Sequence, residues 1–389
     1  MFHVTLKKGE EKRIVAGHSW VYANEVADVK KEDTDKNGAL AAVYAHDGRF
    51  IGKGYINHAS KILVRIFIRG KEEDSKELYL ERIRKANDYR RSLGYENAYR
   101  MVFAEADDLP ALIIDRYDDV YVMQCLSLGI EKRKSLIVEC LVELFAPRGV
   151  YERSDVAVRE KEGLPLAEGV LYGEVPEEVV ITENGLKMSV DVRHGQKTGY
   201  FLDQKENRYA VRRYAKGKDV LDCFCNSGGF SLNASLTANS VTAVDISEVA
   251  LRNVRRNAEL NGISNLTTQC GDVFEVLRTY KKEGKKFGLV ILDPPAFCKS
   301  AAEVKDAYRG YKDINLIGMK LVEEGGFLVT CSCSHYMTMP LFEKMLIEAA
   351  KESGRRVRSV EVKVQAPDHP SLLCAEETQY LKFFVLQVL

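Results

Sequence analysis

The chain has 389 residues, 46% of them hydrophobic and 29% charged, which is enough apolar material for more than one packed core. Lys plus Arg and Asp plus Glu both total 57, so the global positive charge that marks a simple nucleic-acid binder is absent. The distribution is uneven: residues 1–70 hold 12 basic and 8 acidic side chains, residues 71–185 hold 16 and 25, and residues 186–389 hold 29 and 24. An acidic middle thus separates two mildly basic ends. No apolar run has the length of a signal peptide or a membrane span, which predicts a soluble, cytoplasmic protein without a membrane partner. The nine cysteines, odd in number and thinly spread, fit a reducing compartment better than a disulfide framework. Cys223/Cys225 and Cys331/Cys333 have one-residue gaps and no second ligand pair at zinc-finger spacing, so no metal is expected.

In chain order, residues 1–72 read as a small β-barrel, with strands near 17–22, 40–44, 50–55 and 62–68 punctuated by Asn37-Gly38 and Asp47-Gly48. Residues 73–183 begin with a charge-rich connector helix ending near Leu93, whose Leu78, Leu80, Ile83 and Ala86 follow a helical period. A small α+β unit follows, with strands at 111–115, 120–125 and 149–152 and a helix over 132–144. Residues 184–389 alternate apolar strands at 220–224, 241–246, 266–270, 289–292 and 327–331 with helices at about 229–238, 247–261, 273–283, 301–323 and 340–353. That alternation predicts an α/β, Rossmann-like parallel sheet covered on both faces. The apolar runs 357–364 and 381–388 predict an antiparallel hairpin at one edge.

Ligands of open α/β sheets sit at the carboxyl ends of the strands, near the point where strand order reverses. The first βα junction, Asp222-Cys223-Phe224-Cys225-Asn226-Ser227-Gly228-Gly229, has a glycine pair for a tight turn but lacks the G-x-G-x-x-G spacing of a pyrophosphate cradle. A dehydrogenase is accordingly disfavoured. Asp245 ends the second strand, where a carboxylate accepts both ribose hydroxyls, with Ile246 beside it; Asp272 follows the third, within reach of a purine amino group. Each aspartate alone reads best as a helix cap. Together, in register, they resemble a class I S-adenosylmethionine-dependent methyltransferase.

The fourth strand ends Asp293-Pro294-Pro295-Ala296-Phe297, a carboxylate and a rigid turn able to wall a flat base. The fifth ends Thr330-Cys331-Ser332-Cys333-Ser334. Cys331 reads as inert core, whereas Cys333, at the strand's carboxyl end, is placed for a nucleophile. Carbon 5 of a pyrimidine is too weak a nucleophile for a sulfonium methyl, and thiolate addition at carbon 6 converts it into an enamine that is strong enough. Asp293 would then hold or protonate nitrogen 3.

These motifs, with Leu6-Lys7-Lys8-Gly9, His18-Ser19-Trp20-Val21-Tyr22, Gly52-Lys53-Gly54-Tyr55 and Gly195-Gln196-Lys197-Thr198-Gly199-Tyr200-Phe201-Leu202-Asp203-Gln204, resemble the bacterial 23S ribosomal RNA cytosine-5 methyltransferases that carry an N-terminal PUA domain. The resemblance covers essentially the whole chain. It implies S-adenosyl-L-methionine as cofactor, 23S rRNA as partner, and a homodimer as one assembly to consider. It assigns catalysis to Cys333 and Asp293. Cofactor contacts fall to Asp222, Asn226, Gly228, Asp245, Ile246, Asp272, Phe201 and Asp203, and RNA contacts to Lys197, Arg208, Pro294, Pro295 and Phe297. Thr330-Cys331-Ser332 also fits the Thr-Cys-Ser string of other RNA cytosine-5 enzymes, which leaves Cys331 as a second candidate nucleophile. Two other readings stand beside this one: methylation of an RNA nitrogen, and a non-catalytic RNA-binding assembly factor. Trp20, Tyr22 and Tyr55 read as base-stacking aromatics or, more commonly, as core.

Overall fold

A computed structural model of the protein describes residues 1–31 and 36–389. The chain forms two compact units: residues 1–181 with 190–202 and 367–378, and residues 182–189 with 203–366 and 379–389.

The first unit contains two sheets. The N-terminal sheet has six strands, in the order Trp20–Tyr22, Ile62–Ile68, Phe50–Ile56, Leu40–Tyr44, Phe2–Leu6, Val26–Lys30. Its core is Val4, Leu6, Val21, Val43, Ile56, Val64 and Ile66, from strands that turn one face inward, joined by Ile14 of the short helix Glu11–Val15. Phe2–Leu6 runs parallel to Leu40–Tyr44, a pairing between segments too far apart to show in local periodicity. The connector helix is shorter than expected, Lys76–Ser92. The second sheet has five strands, two more than expected: Ala98–Phe103 and Ala167–Gly173 flank Leu112–Tyr117, Val120–Cys125 and Gly149–Ser154. Ala167–Gly173 was unreadable because none of its residues is buried and its one apolar run, Val170-Leu171-Tyr172, does not alternate with polar residues.

The second unit is a seven-stranded sheet. After α1 (Lys205–Ala215) come β1 (Asp219–Cys223), α2 (Gly229–Ser235), β2 (Ser240–Asp245), α3 (Glu248–Leu260), β3 (Leu266–Cys270), α4 (Val273–Lys282), β4 (Phe287–Leu292), α5 (Val304–Leu321), β5 (Val322–Ser332), α6 (Met339–Ser353), β6 (Val357–Lys363) and β7 (Lys382–Val388). The order is β3-β2-β1-β4-β5-β7-β6. Strands β1 to β5 pair in parallel, and the β6–β7 hairpin adds antiparallel at the edge, as its apolar runs predicted. Strand order reverses between β1 and β4, so the ligand crevice of this architecture opens at the carboxyl ends of those two strands. Every residue of β4 is buried, which explains its uninterrupted apolar sequence Phe287-Gly288-Leu289-Val290-Ile291-Leu292.

Candidate active site

The β1–α2 turn is built under backbone constraint. Phe224, Asn226 and Gly228 have φ of 62°, 49° and 84°, three left-handed residues within five. For a phenylalanine this region is costly, and such strain clusters where a loop is held for function. Gly228 cannot be replaced easily, because a Cβ there would lie 2.7 Å from the Leu232 side chain. The turn is anchored by Asp245 at the end of β2, whose Oδ2 accepts from the Asn226 N–H at 2.9 Å and whose Oδ1 accepts from the Ser247 N–H at 2.9 Å. Both oxygens are thereby oriented, and each keeps a lone pair for a further donor. Ile246 beside it is 70% exposed, an open apolar surface at the crevice end of β2. Asp272 is exposed and caps α4, accepting from the Glu275 N–H at 3.1 Å.

Asp222 is fully buried on β1. Its Oδ2 accepts from the Ser231 hydroxyl, while Oδ1 has no protein partner. Burial pushes its carboxyl up to about 7; the charges of Asp293 and Asp245 push the same way, and the Ser231 hydrogen bond opposes them. Three carboxylates therefore converge at the switch point. Such a crevice attracts a cationic ligand, and the orphaned Asp222 oxygen is an acceptor waiting for a donor.

Asp293 stands just beyond β4. Gln204 donates from Nε2 to Asp293 Oδ1 at 3.0 Å, and Asn207 Nδ2 donates to Gln204 Oε1 at 2.7 Å, a relay that fixes the acid from α1. Pro294 is buried and Pro295 exposed. Phe297 is half-buried, packed 4.6 Å from the Tyr311 ring and 6.4 Å from that of Phe224 between centroids.

The register Leu292↔Thr330 sets Asp293 level with Cys331 on β5. Cys331 is fully buried, and desolvation followed by the charge of Asp293 pushes its thiol well up. A thiol so disposed resists ionisation, which is the behaviour of a core cysteine. Cys223 and Cys225 are pushed up in the same way. Cys333 is half-exposed. The serines on either side of it are clamped by one phenol: Ser332 Oγ donates to Tyr311 Oη at 3.0 Å, and Tyr311 Oη and Ser334 Oγ lie 3.0 Å apart. Each serine of the Ser-Cys-Ser string thus has a structural task, holding the loop that presents the thiol.

Lys197 and Phe201 belong to the first unit, where the Lys197 ammonium sits 4.4 Å from the Phe201 ring centroid. Asp203 is buried in the second unit and accepts from the Tyr380 hydroxyl at 2.6 Å. Arg208 corrects the sequence reading. Expected to face RNA, it is buried and forms two 2.7 Å bonds to the Glu183 carboxylate, a bidentate pair that keeps its charge inside the protein. Tyr55 is buried, stacked on Phe67 and hydrogen-bonded to Tyr79, so it is a core residue and not a base-stacking one. Gln204, Asn207 and Tyr311 were missed. The polar Gln204-x-x-Asn207 spacing was a usable signal, since i and i+3 share a helix face.

Residues 4–69 match the PUA-like domain family, and residues 159–384 match the S-adenosylmethionine-dependent methyltransferase family. A protein of Shewanella amazonensis named ribosomal RNA large subunit methyltransferase I is 43% identical over 393 residues, covering 99% of each chain. A protein of the same name from Aeromonas salmonicida is 42% identical, covering 99% of this chain and 98% of its own. Among solved structures, a SAM-dependent methyltransferase from Streptococcus mutans aligns over 100% of both chains with a TM-score of 0.84 and 21% identity. SMU.776, described as a methyltransferase complexed with SAH, aligns over 100% of both chains with a TM-score of 0.86 and 21% identity. At that identity the two structures speak for the fold.

Proposed function

The chain belongs to the S-adenosylmethionine-dependent methyltransferases that carry a PUA-like domain, and from that membership we propose that it forms 5-methylcytosine in 23S ribosomal RNA through a covalent bond to Cys333. The rRNA substrate is argued from full-length relatives named for the large subunit. The carbon-5 chemistry is argued from the thiol itself. One observation carries it: Cys333 is half-exposed on a loop clamped at both sides, while Cys331 is sealed in the core.

The residues present fit the cofactor. Asp222 keeps a buried acceptor open, Asp245 has both oxygens oriented, and three carboxylates give the crevice the sign that a sulfonium and an ammonium require. When bound, S-adenosylmethionine supplies the electrophilic methyl that carbon 5 accepts. The protein's own part is the activation of that carbon. The Cys333 thiolate adds to carbon 6 and the ring's π electrons move toward carbon 5 as the carboxyl of Asp293, fixed by Gln204, gives a proton to nitrogen 3 and takes it back on elimination. Once carbon 5 is methylated and its proton lost to a base, the carbon–sulfur bond breaks and the thiolate returns.

A second reading has one observation in its favour. The Pro294-Pro295 turn after Asp293 suits methylation of a planar nitrogen, which needs no thiol. Digesting methylated rRNA and identifying the nucleoside by mass spectrometry separates the two: 5-methylcytidine supports the first reading, and an N-methylated base overturns it.

A further inference from the structure

Lys382 opens β7 opposite Ser332, the last residue of β5, so its side chain starts from the carboxyl end of the sheet beside Cys333. It is only 4% exposed. Its Nζ donates to two main-chain carbonyls, of Ser334 and Tyr380, each at 2.7 Å, and among the described residues no carboxylate pairs with it. A buried cation without an anionic partner is expensive, and burial accordingly pulls the Lys382 ammonium down to about 8. One charge opposes that effect, the thiolate of Cys333.

The hydrogen-bond count is informative. A neutral amine has two N–H bonds and one lone pair, and an ammonium has three N–H bonds. The carbonyls of Ser334 and Tyr380 use two N–H groups in either state. The third position alone changes, from lone pair to N–H, as the side chain gains a proton. The same Ser334 whose hydroxyl meets Tyr311 also holds Lys382 through its carbonyl, so thiol and amine hang from one fixed loop.

The geometry points to Lys382 as the group that activates the nucleophile: its amine accepts the Cys333 thiol proton, and the ammonium so formed, fixed by two carbonyls, holds the thiolate until it adds to the base. The S–H bond breaks, an N–H bond forms, and the pair keeps its one proton, so no further reactant is needed. When the adduct eliminates, the thiolate returns to the same ammonium. Lys382 acts through Cys333 and is a positioning residue. Its use in catalysis rests on the carbon-5 reading proposed above.

Other titratable groups face the pair. Cys331 comes from β5, Asp293 from beyond β4 and Tyr311 from α5, while Tyr380, bonded to Asp203, lies two residues before Lys382. Asp293 and Asp203 are present in every variant below and do not account for a difference between them.

The test is the pH dependence of Cys333 alkylation by iodoacetamide in the full chain, read on the Cys333 peptide by mass spectrometry. In the wild type the midpoint should fall below the ordinary thiol value of about 8.5. Lys382→Met, which keeps the stem and removes the charge, should raise the midpoint by a unit or more and slow alkylation at pH 7 roughly tenfold. Lys382→Arg should restore the low midpoint, because the charge returns. S-adenosylmethionine affinity should be the same in all three. A wild-type midpoint at or above the ordinary thiol value overturns the proposal without any variant, as does an unchanged midpoint in folded Lys382→Met. A shifted midpoint combined with full methylation by Cys333→Ala would overturn the catalytic use, through the carbon-5 reading, and not the pairing.

Discussion

A carboxyl buried at Asp222 between two other carboxylates makes folding itself sensitive to pH. The group has a folded value of about 7 and an ordinary value of 3.8. Between those values the folded chain binds a proton that the unfolded chain has released, so stability is greatest at the acid end, falls as pH rises through the window, and levels off above it. The whole excursion is worth on the order of 4 kcal/mol. Asp222→Asn should remove the slope and raise the melting temperature of the cofactor-free protein at pH 8, as measured by thermal melts from pH 5 to 8. An unchanged slope would place the titrating group elsewhere. Asp245→Ala should instead cost binding, about 1–3 kcal/mol for a charged acceptor lost from the ligand, read by calorimetry with S-adenosylmethionine. Undiminished affinity in that variant would remove Asp245 from the cofactor site. At this scale the sequence was legible where a residue type sits at a repeating landmark: Asp222, Asp245, Asp293 and Cys333 all lie at or just beyond strand ends. Arg208 was misread because nothing local reveals Glu183, its partner at the end of the short strand Val179–Glu183. Lys382 was invisible for a similar reason, since only the β5–β7 register brings it beside Ser332.

Among the elements, α5 and β5 work as a pair. Tyr311 projects from α5 onto both serines that flank Cys333, with Phe297 and Phe342 packed at its ring. Tyr311→Phe keeps that packing and removes the hydroxyl, leaving two buried serines short of a partner. The expected outcome is a stability loss of about 1–2 kcal/mol and a fall in kcat with unchanged cofactor affinity, because the thiol loop loosens while the crevice does not. Denaturant melts and single-turnover rates would check it, and unaltered kcat would mean that the clamp has no part in presenting Cys333. The parallel core of this unit was readable because β4 is apolar throughout and β2 and β5 carry short apolar runs, and the edge hairpin because β7 is apolar while β6 alternates valines with polar residues. The parallel pairing of Phe2–Leu6 was not, since a sheet's non-local partners leave no periodic trace.

On the scale of the whole molecule, the first unit joins its two sheets through a buried polar network and not through a simple linker. Arg65, from the N-terminal sheet, pairs with Glu162 at 2.8 Å, and Asn57 and Ser60 bond the same Glu162, which is 3% exposed. Removing residues 1–70 would strip this carboxylate of all three partners. Arg65→Met should therefore destabilise the protein by about 3–5 kcal/mol, the cost of a buried carboxylate without its counter-charge, and a truncation lacking residues 1–70 should melt below the full chain. A melting temperature unchanged by Arg65→Met would show the network to be dispensable. RNA affinity itself should fall with salt, as phosphate contacts require.

The central claim is that Cys333 bonds covalently to carbon 6 of a cytosine in 23S rRNA. Substituting 5-fluorocytidine at the target tests it most directly, because fluorine cannot leave as the carbon-5 proton does and the adduct stops before elimination. With S-adenosylmethionine, wild-type protein and Cys331→Ala should form a denaturation-resistant complex with that RNA, mapped to the Cys333 peptide, and Cys333→Ala should form none while still binding cofactor. A complex that maps to Cys331, or rRNA methylation that survives in Cys333→Ala, would contradict the account.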